Sequence, residues 1–279
     1  MVKEKGFIQV IVLLTVLALI GLYFIYISKP KTIIKNSIST STPAPTPYQF
    51  PYKNPIVPKA QSYRIIMVGD SIVNALGLNA NALRLDLIKY YPGSEFVTYN
   101  YGYPSTNVLS LYQRLTETTN DGTKDNQAIL TQQFELIIIE SFGNNPLSQF
   151  PLAEGLQKQN DELERSVRAI LAQKPNAALA FLTPIALDAN NYARGSRDLS
   201  PSVRKQWVAE RVAYIDNHRK FAEEKGIPVI DVYKASLKPD GTVDGSYISG
   251  DYIHPSQKGI ELISQTIADY IFNNKIFPQ

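Results

Sequence analysis

The sequence predicts a three-layer α/β/α domain around a five-stranded parallel sheet, with a membrane-spanning helix and a proline-rich stalk in front of it. Three observations predict this. An uncharged apolar stretch lies near the amino terminus. A segment rich in Pro, Ser and Thr follows it, and beyond residue 60 short apolar runs alternate strictly with longer helical patterns.

The stretch Phe7 to Ile27, FIQVIVLLTVLALIGLYFIYI, runs about 21 residues without a charge between Lys3 and Lys5 on one side and Lys29 and Lys31 on the other. At 1.5 Å per residue it matches a hydrocarbon core of about 30 Å. It exceeds the apolar core of about 7–15 residues usual for a cleavable signal peptide, and ISKPK is no small-residue cleavage site. Residues 1–28 therefore read as a single-pass signal-anchor. Lysines flank both ends, and a long domain translocates largely regardless of such charges, so the domain is expected outside the cytoplasm. Residues 29–60 read as a semi-rigid linker, because Ser28 to Lys59 holds seven of the 18 prolines, with STSTPAPTP at its middle.

Residues 61–279 form the expected catalytic domain. Ile65–Val68, Phe96–Tyr99, Leu136–Ile139, Ala178–Leu182 and Val229–Val232 are apolar runs of the kind buried in a sheet covered on both faces. Helical patterns over Asn79–Tyr91, Thr106–Thr118, Leu156–Gln173, Val203–Lys225 and Ser256–Phe272 alternate with them. Such alternation gives right-handed crossovers and a parallel sheet, whose working site lies beyond the carboxyl ends of the strands.

The net charge of +3 is unevenly spread: residues 1–59 carry seven Lys and one Glu, and residues 60–279 carry 21 basic against 24 acidic side chains. The domain is thus mildly acidic, without the basic stripe that phosphate backbones require, and nucleic acid is excluded as a partner. With no cysteine, disulfides, thiolate catalysis and cysteine-based zinc sites are excluded as well.

Four loops at the expected rim hold candidate chemistry. Ser71 follows the first strand in RIIMVGDSIVNALG, where a serine can serve as a helix N-cap or as a nucleophile; the second role needs a base and an acid that orients it. Of the two histidines, His218 in AYIDNHRKFAEEKG has charged neighbours and reads as a surface residue. His254 in SGDYIHPSQKG lies between the last strand and the last helix, with Asp251 three residues upstream, close enough to hold the imidazole from within one turn. Gly102 in NYGYPSTN can turn its backbone N–H inward, and Asn145 in ESFGNNPLS can extend a side-chain amide; each loop alone is also an ordinary turn. Asp70, beside the candidate nucleophile, is given a structural role in its turn, and Asp251 is preferred as the acid. The long Ala186–Pro201 connection, with Tyr192, Arg194 and Arg197, is either a pocket wall or a solvated loop, and Lys234–Gly250 is a second flexible edge.

Taken together, GDS at Gly69–Ser71, Gly102 in NYG, GNN at Gly143–Asn145 and DYIH at Asp251–His254 resemble, in order, the four blocks of the SGNH (GDSL-type) hydrolases over residues 62–274. Ile72 stands where that family usually has leucine, and Pro146 replaces the acid that usually closes its third block. No G-x-S-x-G occurs, which argues against the α/β-hydrolase nucleophile elbow. The resemblance implies a flavodoxin-like fold and a serine esterase with Ser71 as nucleophile, His254 as base and Asp251 as orienting acid. It further implies an oxyanion hole from the N–H groups of Ser71 and Gly102 and the Asn145 amide, with neither cofactor nor metal. The substrate expected is a small-molecule or carbohydrate ester, an O-acetyl ester in particular. An O-acyltransferase with the same triad and a non-catalytic glycan-binding module remain open.

Overall fold

The computed structural model describes residues 50–279. The expected signal-anchor and most of the expected linker fall outside those residues. Among the described residues, no helix is long and apolar enough to cross a membrane.

The chain runs β1 (Ser62–Gly69), α1 (Ser71–Asn74), α2 (Asn81–Tyr90), β2 (Glu95–Gly102) and α3 (Leu111–Thr116). A small hairpin follows, β3 (Thr119–Asn120) with β4 (Asp125–Asn126), then β5 (Leu136–Glu140), α4 (Leu152–Gln173) and β6 (Ala178–Leu182). The last elements are α5 (Pro201–Lys225), β7 (Val229–Ile230), α6 (Val232–Ala235) and α7 (Gln257–Asn273). The main sheet is five-stranded and parallel in the order β2-β1-β5-β6-β7, the flavodoxin-like order.

Alternation along β1 divides the core between the two faces of the sheet. Ile65 and Met67 pack with Leu83 and Leu87 of α2 and with Ile263, Ile267 and Ile271 of α7. Ile66 and Val68 pack with Leu111 and Leu115 of α3, Leu163 and Val167 of α4 and Phe221 of α5. Each such fully buried side chain contributes about 1.5–3 kcal/mol relative to exposure. The five expected strands all form. The fourth keeps its expected bounds, and the last is two residues rather than four, because the Asp231 carboxylate accepts the Lys234 N–H at 3.1 Å and starts α6. The helical pattern over 106–118 resolves into a 3-10 turn, Val108–Ser110, and the short α3.

Two expectations are corrected. Among the described residues, packing of the domain begins before residue 61. Within it, Tyr52 is buried, donates its backbone N–H to the Lys225 carbonyl at 2.7 Å and accepts the Leu179 N–H on its hydroxyl at 2.8 Å. His218 is not at the surface. It is fully buried and stacks on Phe181 at 4.1 Å, because Tyr214, Ile215, His218, Phe221 and Ala222 form the inward stripe of α5 while the charged neighbours take the flanks.

Candidate active site

The site assembles at the carboxyl ends of β1, β2 and β5. β1 ends on Gly69, where a Cβ would lie 2.4 Å from Val73 Cγ2 and 2.8 Å from Glu140 Cβ, so only glycine lets α1 and β5 close this tightly. Asp70 then caps α1 by accepting the Ile72 N–H at 2.8 Å, which sets Ser71 as the first helical residue.

The chain's far end supplies the candidate base. Asp251 folds its own loop: one carboxylate oxygen accepts the Ser249 hydroxyl at 2.5 Å and the N–H groups of Ile253 and His254 at 2.9 and 3.0 Å. Tyr252 takes the left-handed conformation, φ +60°, that this tight turn requires. The other carboxylate oxygen lies 2.5 Å from His254 Nδ1, and His254 Nε2 lies 2.9 Å from Ser71 Oγ across 183 residues of sequence. Burial acts to raise the Asp251 pKa, but the hydrogen bonds from Ser249, His254 and Ile253 outweigh it and hold the carboxyl below its ordinary range. An ionised acid on Nδ1 keeps the proton there and leaves Nε2 as an acceptor facing the hydroxyl.

The middle loops follow the expectation in part. Asn145 Nδ2 donates to the second oxygen of Asp70 at 2.8 Å, so the residue that caps α1 also fixes the amide, and one amide hydrogen stays available. Gly102 differs from the expectation. Its N–H donates to Asn100 Oδ1 at 2.8 Å, and a Cβ there would lie 2.2 Å from the Asn74 nitrogen, so this glycine serves the close approach of β2 to α1. Three residues later, Ser105 sits in the left-handed region, φ +59°, and borders the same cavity as Ser71, Asn145 and His254. Neither Ser71 nor Ser105 donates its backbone N–H to another described residue. Sequence reasoning missed Ser105; a serine in YPST carries no periodic signal, and only its positive φ marks it.

Beneath Ser71 lies a buried group of titratable side chains that the sequence did not reveal. Arg114 of α3 is 1 % exposed and donates to the carbonyls of Gly69 at 2.7 Å and Tyr101 at 3.1 Å, tying the ends of β1 and β2. Burial lowers its pKa to about 10, and Asp70 opposes that shift. Glu140, also fully buried, accepts from Ser141 Oγ at 2.7 Å and the Phe142 N–H at 2.8 Å. Burial, and then the charge of Asp70, push the Glu140 carboxyl well above its usual value. Burial raises Asp70 too, against the Ile72 N–H, the Asn145 amide and the charges of His254 and Arg114.

Ser71 and His254 open on a cavity of about 500 Å³ whose remaining wall includes Asn144, Tyr192, Arg197, Trp207 and Arg211. The 186–201 connection is thus a pocket wall through Tyr192 and Arg197, whereas Arg194 and the 234–250 edge lie outside this cavity. A larger depression of about 1060 Å³ between α2 and α7 is lined by residues such as Leu85, Lys89 and Glu261, without a nucleophile paired to a base. The arrangement at Ser71 can deprotonate a hydroxyl, add it to a carbonyl and bind the resulting oxyanion with N–H donors.

Comparison with known proteins follows the same lines. The chain is similar to the lipase/acylhydrolase from Enterococcus faecalis, with 21% identity over 76% of this chain and 96% of that one and a TM-score of 0.54. It is similar to the acetyl xylan esterase AlAXEase, with 16% identity over 75% and 99% of the two chains and a TM-score of 0.53. A variant of an acetyl xylan esterase from Geobacillus stearothermophilus gives 19% identity over 77% and 96%, with a TM-score of 0.51. At these identities the likeness shows a shared fold. No curated protein matches the chain. Residues 67–262, which hold Asp70, Ser71, Asn145, Asp251 and His254, match the family of GDSL-like lipases and acylhydrolases, and the chain belongs to this family of ester-hydrolysing enzymes.

Proposed function

We propose that the protein is a serine esterase that cleaves a short-chain carboxylic ester, an O-acetyl ester of a carbohydrate, through an acyl-enzyme on Ser71. The observation that carries the proposal is the hydrogen-bonded run from Ser71 Oγ through His254 to Asp251, opening on the cavity. His254 Nε2 takes the hydroxyl proton as Oγ adds to the ester carbonyl, and Asp251 stabilises the imidazolium that forms. The oxyanion is met by the Ser71 N–H and the free hydrogen of the Asn145 amide, with the Ser105 N–H in the place expected for Gly102. His254 returns its proton to the leaving alcohol. Water, deprotonated in turn by His254, then releases the acid and restores Ser71.

Two features support a short acyl group on a sugar: the modest cavity of mixed polar and apolar lining, and the likeness to proteins described as acetyl xylan esterases. The apolar stretch 7–27 supports attachment to a membrane, with the domain outside the cytoplasm.

The test is release of acetate from O-acetylated sugars and from short-chain aryl esters by the full chain. The expected result is turnover that vanishes in Ser71→Ala. A folded protein that releases no acid from any short-chain ester would overturn the proposal.

A further inference from the structure

The geometry points to a substrate whose alcohol half is an anionic saccharide, with a carboxylate or phosphate held by Arg197 and Arg211 beside the ester undergoing cleavage. This inference rests on the esterase proposal and adds the class of alcohol.

The cavity wall around these residues is built of donors. No acidic side chain is among the described residues that line the cavity. Arg211 of α5 is held by two hydrogen bonds, from Nε to the Tyr192 hydroxyl at 2.8 Å and from Nη1 to the Trp207 carbonyl at 3.0 Å. Its guanidinium lies 5.1 Å from the Tyr192 ring centre and 4.9 Å from that of Trp207. Among the described residues, the one carboxylate paired with it, Glu210, is 4.0 Å away, so the charge is fixed in place and weakly neutralised. The Tyr192 hydroxyl passes its own hydrogen to Asn144 Oδ1 at 3.1 Å, leaving the buried Asn144 Nδ2 without a partner. Arg197, which lines the same cavity, is exposed, and its guanidinium makes no hydrogen bond or ion pair with the described residues.

Arg204 shows what a purely structural arginine looks like here. Its guanidinium is spent on the carbonyls of Tyr192, Asn190 and Leu199 at 2.9, 3.1 and 3.0 Å, and it closes the 186–201 connection from behind. Arg197 and Arg211 keep unused N–H groups facing a space that also holds the nucleophile. An acceptor-only oxyanion satisfies these guanidinium donors together, which a neutral hydroxyl does not. Trp207 adds a flat apolar face for a sugar ring.

The test compares kcat/KM for three mono-O-acetylated methyl glycosides: a glucuronoside, a glucoside 6-phosphate and the neutral glucoside. The expected result is a preference of about tenfold or more for one or both anionic esters, shrinking as salt is raised. The preference should fall towards one in Arg197→Gln and in Arg211→Gln. Since Arg211→Gln also strips packing from Tyr192 and Trp207, Arg197→Gln decides alone if the other variant does not fold. Trp207 is the chain's single tryptophan, so binding has its own readout. In Ser71→Ala, the deacetylated anionic glycoside should change Trp207 emission at concentrations where the neutral one does not. Cleavage of all three esters at equal kcat/KM would overturn the inference and leave the esterase proposal standing. No cleavage of any of the three, with no acid released from short-chain aryl esters either, would defeat the esterase proposal, and the titration would still decide the anion: equal responses to charged and neutral glycosides would overturn it.

Discussion

The two histidines of this chain occupy opposite environments. His254 lies at the rim with 37 % of its side chain exposed, between an acid at 2.5 Å and a hydroxyl at 2.9 Å. His218 lies in the core with none of its surface exposed, flat against Phe181. Burial lowers the His218 pKa to about 3, with a backbone interaction at Ile139 only partly opposing it, so its ring is a neutral packing element. At the rim, the Asp251 carboxylate on one nitrogen and the Ser71 hydroxyl on the other give the same ring the geometry of the proposed base. What makes a histidine catalytic is therefore its two neighbours; removal from water alone produces a silent aromatic.

Substitutions that strip the rim should break this contrast most severely. Ser71→Ala and His254→Ala should lower kcat by about 10⁶, and Asp251→Asn by about 10⁴ through loss of the correct tautomer, whereas His218→Phe should leave kcat/KM within about twofold. Steady-state hydrolysis of a short-chain ester checks all four. Asn145→Ala should cost about 10²–10³ in kcat, with Gly102→Ala failing through its clash with α1 instead of through lost chemistry.

The core histidine is sharpened by acid. Its folded pKa lies below its ordinary 6.5, so the folded state binds fewer protons than the unfolded one. Stability is then lost as pH falls from about 6.5 towards 3, by up to about 1.4 kcal/mol per pH unit. Denaturant titrations across that window should show a shallower slope for His218→Phe than for the unmodified chain. The smallest effect concerns Ser105: Ser105→Gly relieves a left-handed conformation and should stabilise the fold by about 1 kcal/mol while retaining activity, as thermal unfolding and the ester assay would record.

Much of this architecture is legible in the chain because its signals are local or ordered. Apolar runs such as Ile65–Val68 and Ala178–Leu182 announce strands buried on both faces, Ser71 stands out just past the first strand, and Asp251 and His254 through their three-residue spacing before the last helix. What escapes is whatever depends on distant partners. The oxyanion loop was read to its glycine, yet Asn100 occupies the Gly102 N–H and the cavity is reached by Ser105. Arg114 looks like any helical arginine until the ends of β1 and β2 and the Val108–Ser110 turn close over it. His218 was masked by charged neighbours, although its spacing from Tyr214 and Phe221 carried the inward stripe of its helix.

The most direct measurement is labelling of the full chain with a fluorophosphonate, followed by mass spectrometry of the adduct. The account predicts a single modified residue, Ser71, and loss of that label in His254→Ala but not in His218→Phe. A label on another side chain, or one that persists undiminished without His254, would contradict it.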